Sequence, residues 1–221
     1  MTKESEAVNV PRWAVPGGAR IFHGIAVALA NQAALVVPLV VVAPLILEEQ
    51  DPFAAPPGAF LLLAIIAFLQ AAIVVGLGLL RVGRVSLHDL GWRAADWPRE
   101  ALRGFVGFAS IACIVVGLTA LRGGAEAAIG VVDAVRGYSA AQRALFFLIG
   151  LIAAFSEESI FRGYLQPSLT NRFGEAIGIV VTATFFAAYH LQFAPMRLLS
   201  LTLIGLVYGV LRGRDRSLVA S

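Results

Sequence analysis

Long apolar runs separated by short polar stretches make up most of the chain after residue 20. A run of about 20 apolar residues is long enough to cross a bilayer as a helix. Six such runs have the approximate bounds Ile21–Leu47, Gly58–Leu80, Gly104–Leu121, Ala144–Phe155, Gly174–Ala194 and Leu198–Leu211. The pattern predicts an all-α fold, a polytopic membrane helix bundle of about six transmembrane helices. Pro38 and Pro44 are expected to kink the first helix or end it early.

The composition agrees with a membrane protein and excludes a water-soluble domain. Of the 221 residues, 59% are hydrophobic and 14% are charged, whereas soluble proteins carry about 25% charged residues. The one cysteine, Cys113, lies in an apolar run, which rules out a disulfide framework and a cysteine-rich metal site. The isoelectric point is near 9.5, but the basic residues are scattered between apolar runs. We therefore expect the lipid bilayer as a partner and no nucleic acid.

The positions of the basic residues predict the orientation, because cytoplasmic loops retain Lys and Arg. With the N-terminus in the cytoplasm, Arg162 lies inside the fourth helix and the other basic residues divide unequally between the two sides. The cytoplasmic set is Lys3, Arg12, Arg20, Arg81, Arg84, Arg93, Arg99, Arg103, Arg172, Arg212, Arg214 and Arg216; the external set is Arg122, Arg136, Arg143 and Arg197. We expect a multi-pass protein of the cell membrane with both ends inside.

Two connections between the predicted helices have features of their own. Residues 81–103 carry Trp92 and Trp97 among charged residues, which is typical of a polar loop anchored at the cytoplasmic leaflet. Residues 122–143 are predicted to form the longest external connection, and Ser139 is placed to cap the helix that follows.

Three charged residues in the fourth predicted helix are not explained by topology. Glu157, Glu158 and Arg162 follow an apolar run directly, and a charge at membrane depth costs at least about 2.5 kcal/mol, so it is normally paired or functional. Glu158 and Arg162 are four residues apart with the acid first, the favourable order for an ion pair on a helix. Glu157 is turned about 100° away from that pair and has no local partner, which makes it a candidate general base.

The fifth predicted helix carries His190, with Phe186 one turn earlier on the same face. A short turn near Arg172 joins this helix to the fourth. Glu157 precedes the turn by about 15 residues and His190 follows it by about 17, so the two differ in depth by only about 3 Å. Taken alone, each residue has an ordinary structural explanation, a solvated helix end or a hydrogen-bonded histidine. Their matching depth favours a shared site between the two helices.

These residues form two motifs, EExxxRG beginning at Glu157 and FxxxH ending at His190. The motifs resemble the first two of the CPBP family, the CAAX-protease and bacteriocin-processing intramembrane proteases, also called Abi or type II CAAX prenyl endopeptidases. The resemblance extends over residues 139–221. It divides the chain into a cytoplasmic tail at 1–20, a variable transmembrane half at 21–138 and a protease core over the rest.

The resemblance implies a membrane-embedded endopeptidase that hydrolyses peptide bonds of membrane-associated protein or peptide substrates. By analogy, Glu157 activates the water, Glu158 and Arg162 hold that helical turn in shape, and Phe186 supports the site. His190 orients the water, stabilises the oxyanion or ligates a metal. The metal of such a site would be zinc, yet one Glu and one His fall short of the three protein ligands of a catalytic zinc site. A metal-dependent and a purely glutamate-dependent mechanism both stay open.

The chain departs from the family pattern at its end. The family carries a third motif, His-x-x-x-Asn or a close variant, on a later helix, and neither His23 nor His88 stands in the right order to supply it. The last residues, Arg216–Ser221, resemble the start of the helix that carries this motif. We therefore expect a chain truncated by one or two helices, which lacks protease activity if residue 221 is its true end.

A second class of function stays open at this point: a non-catalytic membrane protein, such as an immunity or scaffold protein, or a small transporter that uses Glu157 as a proton-relay carboxylate. Transporters often show inverted repeats and helices broken at matching positions, and the sequence shows neither. Mutation of Glu157 and His190 separates the two classes, because only an endopeptidase would lose cleavage.

Overall fold

The computed structural model describes residues 18–46, 57–93, 97–191, 193–215 and 217–219, and these are almost entirely helical. The α-helices are α1 Gly18–Ile46, α2 Pro57–Ala71, α3 Leu87–Leu90, α4 Trp97–Gly137, α5 Ala140–Glu158, α6 Gln166–Phe173, α7 Glu175–Tyr189 and α8 Pro195–Asp215. Two π-helical segments accompany them: the first π-segment, Ala72–Val82, continues α2, and the second π-segment, Ser159–Leu165, joins α5 to α6. No strand occurs in the described ranges, and the predicted all-α membrane bundle is confirmed.

Four helical stretches of the described residues are long and apolar enough to cross a membrane, and they correspond to the second, third, fourth and sixth predicted spans. They are Phe60–Val82, Pro98–Leu121, Ala140–Phe173 and Pro195–Arg214. The clearest difference is the fifth predicted span, 174–194, because α7 has only 15 residues. That length gives about 22 Å of helix against a hydrocarbon core of about 30 Å. The helix ends early because Leu191 adopts a left-handed backbone conformation with φ 55°.

The first predicted span, Ile21–Leu47, agrees with α1, Gly18–Ile46, whereas the third ends elsewhere than expected. α1 runs through Pro38 and Pro44 to Ile46, so neither proline ends it early. The predicted external connection 122–143 is wrong over most of its length, because α4 continues to Gly137. Alanine is the strongest helix former, and the alanines that follow Gly123 and Gly124 favour continuation of the helix.

Ser139 begins the next helix as predicted. Its side chain accepts a hydrogen bond from the backbone N–H of Gln142, and the Gln142 side chain accepts one from the Ser139 backbone N–H at 2.8 Å. This reciprocal capping box stabilises the start of α5. The fourth predicted span, Ala144–Phe155, then extends much further than expected, because α5, the second π-segment and α6 form one helical stretch from Ala140 to Phe173.

The second π-segment lies at the centre of the hydrophobic core. Its apolar side chains Ile160, Phe161, Tyr164 and Leu165 are buried at 1% exposure or less. They belong to a cluster that includes residues of α1, of the first π-segment and of α7. The two acidic residues that precede this segment therefore lie in the middle of a long helical stretch, and not at the solvated helix end that their sequence also allowed.

The loop that contains Trp92 folds onto the second π-segment, a contact that the sequence does not predict. The Trp92 indole N–H donates a hydrogen bond to Ser159 Oγ at 2.8 Å, and its ring centroid lies 4.9 Å from that of Phe155. The indole N–H of a largely covered tryptophan usually finds a hydrogen-bond partner, and here the buried Ser159 hydroxyl supplies it. The side chain of Trp97 lies outside the described residues.

The sixth predicted span, Leu198–Leu211, is extended at both ends in α8, Pro195–Asp215. Arg212, which the sequence assigns to the cytoplasmic set, is buried in the last turn of α8. It donates through Nε to the carbonyl of Arg162 and through Nη2 to the carbonyl of Leu90, each at 3.2 Å. A guanidinium has five N–H donors, which lets one side chain satisfy several buried carbonyls at once.

Candidate active site

Glu157 and His190 lie side by side in the structure, as the depth count from the turn predicts. Glu157 Oε2 and His190 Nε2 are 4.0 Å apart, and the two side chains remain 21% and 25% exposed. Nearly every neighbouring side chain in the second π-segment is fully buried. The pair is therefore a partly accessible polar site against a closed apolar core.

The hairpin formed by α6 and α7 brings the two residues together. Gly174, with φ 88°, allows the chain to reverse between the helices. The helices then pack closely, since a Cβ atom on Gly178 would lie 2.8 Å from the backbone nitrogen of Thr170. Close packing at this glycine fixes the position of α7 beside the helical stretch that carries Glu157.

The imidazole of His190 is held at its other nitrogen. Nδ1 lies 2.8 Å from the carbonyl oxygen of Phe186. A carbonyl can only accept, so Nδ1 is the donor and carries the hydrogen of the neutral ring. The Nε2 lone pair then faces Glu157. The rings of Phe186 and Tyr189 lie edge-on to the imidazole, with centroid distances of 4.6 and 5.4 Å.

Glu158 and Arg162 form the predicted ion pair, with Glu158 Oε1 and Arg162 Nη1 3.3 Å apart. Arg162 is fully buried and Glu158 is nearly so. Two charges removed from water require each other, because the loss of one partner leaves the other unpaired in a low dielectric. The Glu158–Arg162 ion pair lies in the protein interior. Of the three charged residues, only Glu157 lies beside His190 at the partly accessible site.

Arg162 also contacts α7, the helix that carries Phe186, and α8. Its guanidinium carbon lies 4.2 Å from the ring centroid of Phe186, a cation–π contact. Its Nη2 lies 3.5 Å from the carbonyl oxygen of Gly205 in α8. Phe186 accepts the His190 hydrogen bond through its own carbonyl, so Arg162 supports the residue that orients the imidazole.

The acidic pair stands directly before the second π-segment. π-helical turns are rare, they bond residue i to i+5, and they are frequent at functional sites. Around this segment the carbonyl of Arg162 accepts from Arg212, and Ser159 Oγ accepts from Trp92. Contacts from distant parts of the chain therefore stabilise the unusual turn that follows Glu157.

Sequence reasoning missed several residues around the site. Trp92 and Arg212 were interpreted through their charge and interface preferences, and nothing in their sequence surroundings indicates a long-range partner. Asn31 and Gln70 carried a usable signal, because both are polar residues inside predicted spans. Gln70 donates to Asn31, and Asn31 donates to the hydroxyl of Tyr189, next to His190.

The metal donors in reach are few. Within the described residues, no group of three or more His, Cys, Asp or Glu side chains is placed to hold a metal ion. Glu157 and His190 supply two donors, one fewer than the three protein ligands of catalytic zinc sites. The described residues alone therefore do not fit a complete zinc site.

Residues 139–221 match the family model described as Type II CAAX prenyl endopeptidase Rce1-like. The resemblance read from the two motifs is thereby confirmed over that segment, a little over a third of the chain. No curated protein and no solved structure matches the chain. The apolar helices and this match define a multi-pass membrane protein with an Rce1-like segment, and they support a membrane CAAX endopeptidase in general terms.

Proposed function

We propose that this protein is a membrane-embedded endopeptidase that hydrolyses peptide bonds of membrane-associated protein or peptide substrates. The observation that carries the proposal is the pairing of Glu157 with the Nε2 face of His190 at 4.0 Å, on a partly exposed site within the Rce1-like segment. A carboxylate beside an imidazole lone pair is suited to deprotonate and orient a nucleophilic water.

The proposed reaction uses water as co-substrate. Hydrogen bonds of about 2.8 Å from the two hydrogens of one water reach acceptors about 4 to 4.5 Å apart, close to the Glu157–His190 distance. The water oxygen bonds to the peptide carbonyl carbon while its proton passes to Glu157. The C–N bond then breaks, and Glu157 returns the proton to the leaving nitrogen. The products are a carboxyl group and an amine.

The geometry favours one of the three roles considered for His190. Because Nδ1 donates to the carbonyl of Phe186, the neutral ring presents an acceptor at Nε2 and has no second hydrogen to donate. An oxyanion requires a donor, so we assign His190 to orientation of the water. Glu158 and Arg162 act as a structural pair behind the site.

We further propose that the N-terminus lies in the cytoplasm and that the site opens toward that side. The basic residues outside the fourth helix fall mostly on the side that this orientation makes cytoplasmic. Substrates would then reach Glu157 from the cytoplasmic leaflet. Modification of single introduced cysteines, in a variant with Cys113→Ser, tests this orientation.

The test is cleavage by the purified full chain in lipid nanodiscs. The probes are one quenched-fluorescence peptide in farnesylated and unmodified forms, so that any need for a prenyl group is measured and not assumed. We expect Glu157→Gln and His190→Ala each to lower the cleavage rate by about 100- to 10,000-fold, the usual contribution of a positioned acid–base group. Membrane insertion and yield should stay at the wild-type level.

Glu175→Gln is the matched control, because Glu175 is an exposed glutamate at the start of α7 and undergoes the same chemical change outside the site. We expect it to retain activity within about twofold. Equal cleavage by wild type and the Glu157→Gln variant would falsify the proposal.

A further inference from the structure

A buried polar chain connects three helices next to the proposed catalytic pair. Asn31 of α1, Gln70 of α2 and Tyr189 of α7 are 1%, 8% and 5% exposed. Polar side chains inside a membrane bundle are costly unless they are paired, and they mark functional positions more often than apolar ones do. None of these three residues takes part in the water activation described above.

The hydrogen bonds of this chain have a defined direction. Gln70 Nε2 donates to both the backbone carbonyl and the side-chain Oδ1 of Asn31, each at 2.9 Å. Because Oδ1 is thereby fixed toward Gln70, the amide nitrogen of Asn31 is directed to the other side. There it donates to the hydroxyl oxygen of Tyr189. Gln70 sets the orientation of the Asn31 amide, and Asn31 holds the phenol.

The ring of Tyr189 in turn contacts both helices of the site. Its centroid lies 5.4 Å from that of His190 and 5.1 Å from that of Phe161, in edge-on geometry in each case. Phe161 belongs to the second π-segment, which follows Glu157 directly. A phenol that is fixed at its hydroxyl therefore restricts the imidazole on one side and contacts the helical stretch of Glu157 on the other.

His190 depends on such contacts because it stands at the end of its helix. It is the C-terminal cap of α7, and the next residue, Leu191, leaves the helical conformation. Helix ends fray unless tertiary contacts hold them. The carbonyl of Phe186 fixes Nδ1, and the rings of Phe186 and Tyr189 flank the imidazole.

We propose that Asn31 and Gln70 are positioning residues that act through Tyr189 to hold the His190 imidazole with Nε2 facing Glu157. This inference rests on the proposed function for its catalytic meaning. The position of the ring is nevertheless a physical property that can be measured without a substrate. The first transmembrane helices, outside the Rce1-like segment, thereby contribute to the geometry of the site.

The test compares Asn31→Leu, Tyr189→Phe and the double variant in the full chain in nanodiscs. Asn31→Leu removes the amide but keeps the backbone carbonyl that Gln70 also uses, and Tyr189→Phe removes only the hydroxyl. We expect each single variant to lower kcat by about 10-fold, the lower end for a residue that supports an active group, with KM unchanged. The double variant should be no worse than either single one, because both remove the same contact. Thr184→Val, at an exposed position of α7, is the matched control.

Nitrogen-15 NMR of the histidine rings gives the second readout. The chain has three histidines, so His23→Gln and His88→Gln assign the His190 signals by elimination. We expect the neutral wild-type ring to show the tautomer with hydrogen on Nδ1, and the variants to show exchange with the other tautomer.

The outcomes separate this inference from the proposed function. If wild type cleaves and Glu157→Gln does not, while Asn31→Leu keeps wild-type kcat and the wild-type tautomer, the inference is overturned and the proposed function stands. If no variant cleaves, wild type included, the tautomer measurement alone decides. A loss of thermal stability with both readouts unchanged makes the polar chain purely structural and also overturns the inference.

Discussion

Among the described residues, the two longest helical stretches are α4 and Ala140–Phe173. Both are apolar enough to cross a membrane, yet their surroundings differ. In the most apolar 18-residue window of each, 6% of the α4 window is buried against 28% of the other. The first packs against α8 and is otherwise largely exposed, and the second lies against α1, α2, α7 and α8. Length and hydropathy identify both as membrane helices and do not distinguish these roles.

The two stretches also differ in where their polar side chains find partners. Ser110 of α4 donates to the carbonyl of Val106 in its own helix, as an exposed hydroxyl in an apolar medium must. On the other stretch, Gln166 donates to the carbonyl of Gly209 in α8, and Ser159 accepts from Trp92. Local bonds also occur on that stretch, at Ser156 and Ser168, and α4 has a long-range bond from Ser217 to Glu100. The stretch that carries the proposed site differs in that its long-range bonds lie around that site.

The largest difference in stability between variants of the two stretches is expected at the buried Glu158–Arg162 ion pair. Glu158→Ala leaves the fully buried Arg162 without its carboxylate, which costs about 3–5 kcal/mol in other proteins. We expect a loss of that size in the free energy of unfolding, measured by SDS titration in mixed micelles. Ser110→Ala, on α4, should change it by less than about 0.5 kcal/mol.

The double variant Glu158→Leu/Arg162→Met completes that experiment. It removes both charges, so much of the lost stability should return, as found when a buried pair is replaced by apolar residues. A double variant as unstable as Glu158→Ala would contradict the view that the unpaired arginine causes the loss.

A second prediction compares two glycines. In α7, a Cβ atom on Gly178 would lie 2.9 Å from the Cα atom of Thr170, so α6 and α7 must separate. We expect Gly178→Ala to cost about 1–3 kcal/mol and to reduce cleavage, because His190 moves with α7. On α4, a Cβ atom on Gly117 would meet no neighbouring heavy atom within 4 Å among the described residues. Gly117→Ala should therefore be neutral or stabilise by up to about 1 kcal/mol.

Thermal unfolding and cleavage, measured together on both glycine variants, test this contrast. Similar stability losses in the two variants would show that α4 is packed as tightly as the α6–α7 hairpin. Loss of stability without loss of cleavage in Gly178→Ala would separate the packing of the hairpin from the geometry of the site.

The parts that the sequence predicted correctly depend on short-range geometry. The Glu158–Arg162 pair follows from a spacing of four on a helix, and the Glu157–His190 approach follows from counting residues on either side of one turn. The capping box at Ser139 is likewise local. Run length and composition sufficed for the all-α membrane fold, because the bilayer limits which structures can cross it.

The parts that could not be predicted depend on long-range partners or on backbone details. The second π-segment has no sequence signature, and the bond from Arg212 to the carbonyl of Arg162 spans fifty residues. Trp92 lies among charged residues, as interfacial tryptophans do, and its sequence surroundings do not indicate the hydrogen bond to Ser159. Asn31 and Gln70 are predictable in part, because neutral polar residues inside a membrane helix, like charged ones, are normally paired or functional.

The smallest expected effect lies in the connection between the first π-segment and α4. Ser86 caps α3, the short helix before the Trp92 loop, and forms a capping box with Asp89. We expect Ser86→Ala to lower the free energy of unfolding by about 1 kcal/mol or less, since the cap is exposed. Because this turn leads into the loop that contacts the site, a small loss of cleavage should accompany it.

The same cap predicts a pH dependence. Hydrogen bonds from the Ser86 hydroxyl and backbone N–H lower the pKa of Asp89 from its ordinary value of 3.8. A carboxyl with a lowered pKa in the folded state adds stability that is present above its ordinary pKa and is lost as the pH falls through the lower folded value. The stability difference between wild type and Ser86→Ala should therefore shrink below pH 3.8. Ser110→Ala on α4 is the control, and its stability difference from wild type should not change with pH. If the stability difference between wild type and Ser86→Ala stays constant as the pH falls below 3.8, the Asp89 carboxylate contributes nothing to the cap.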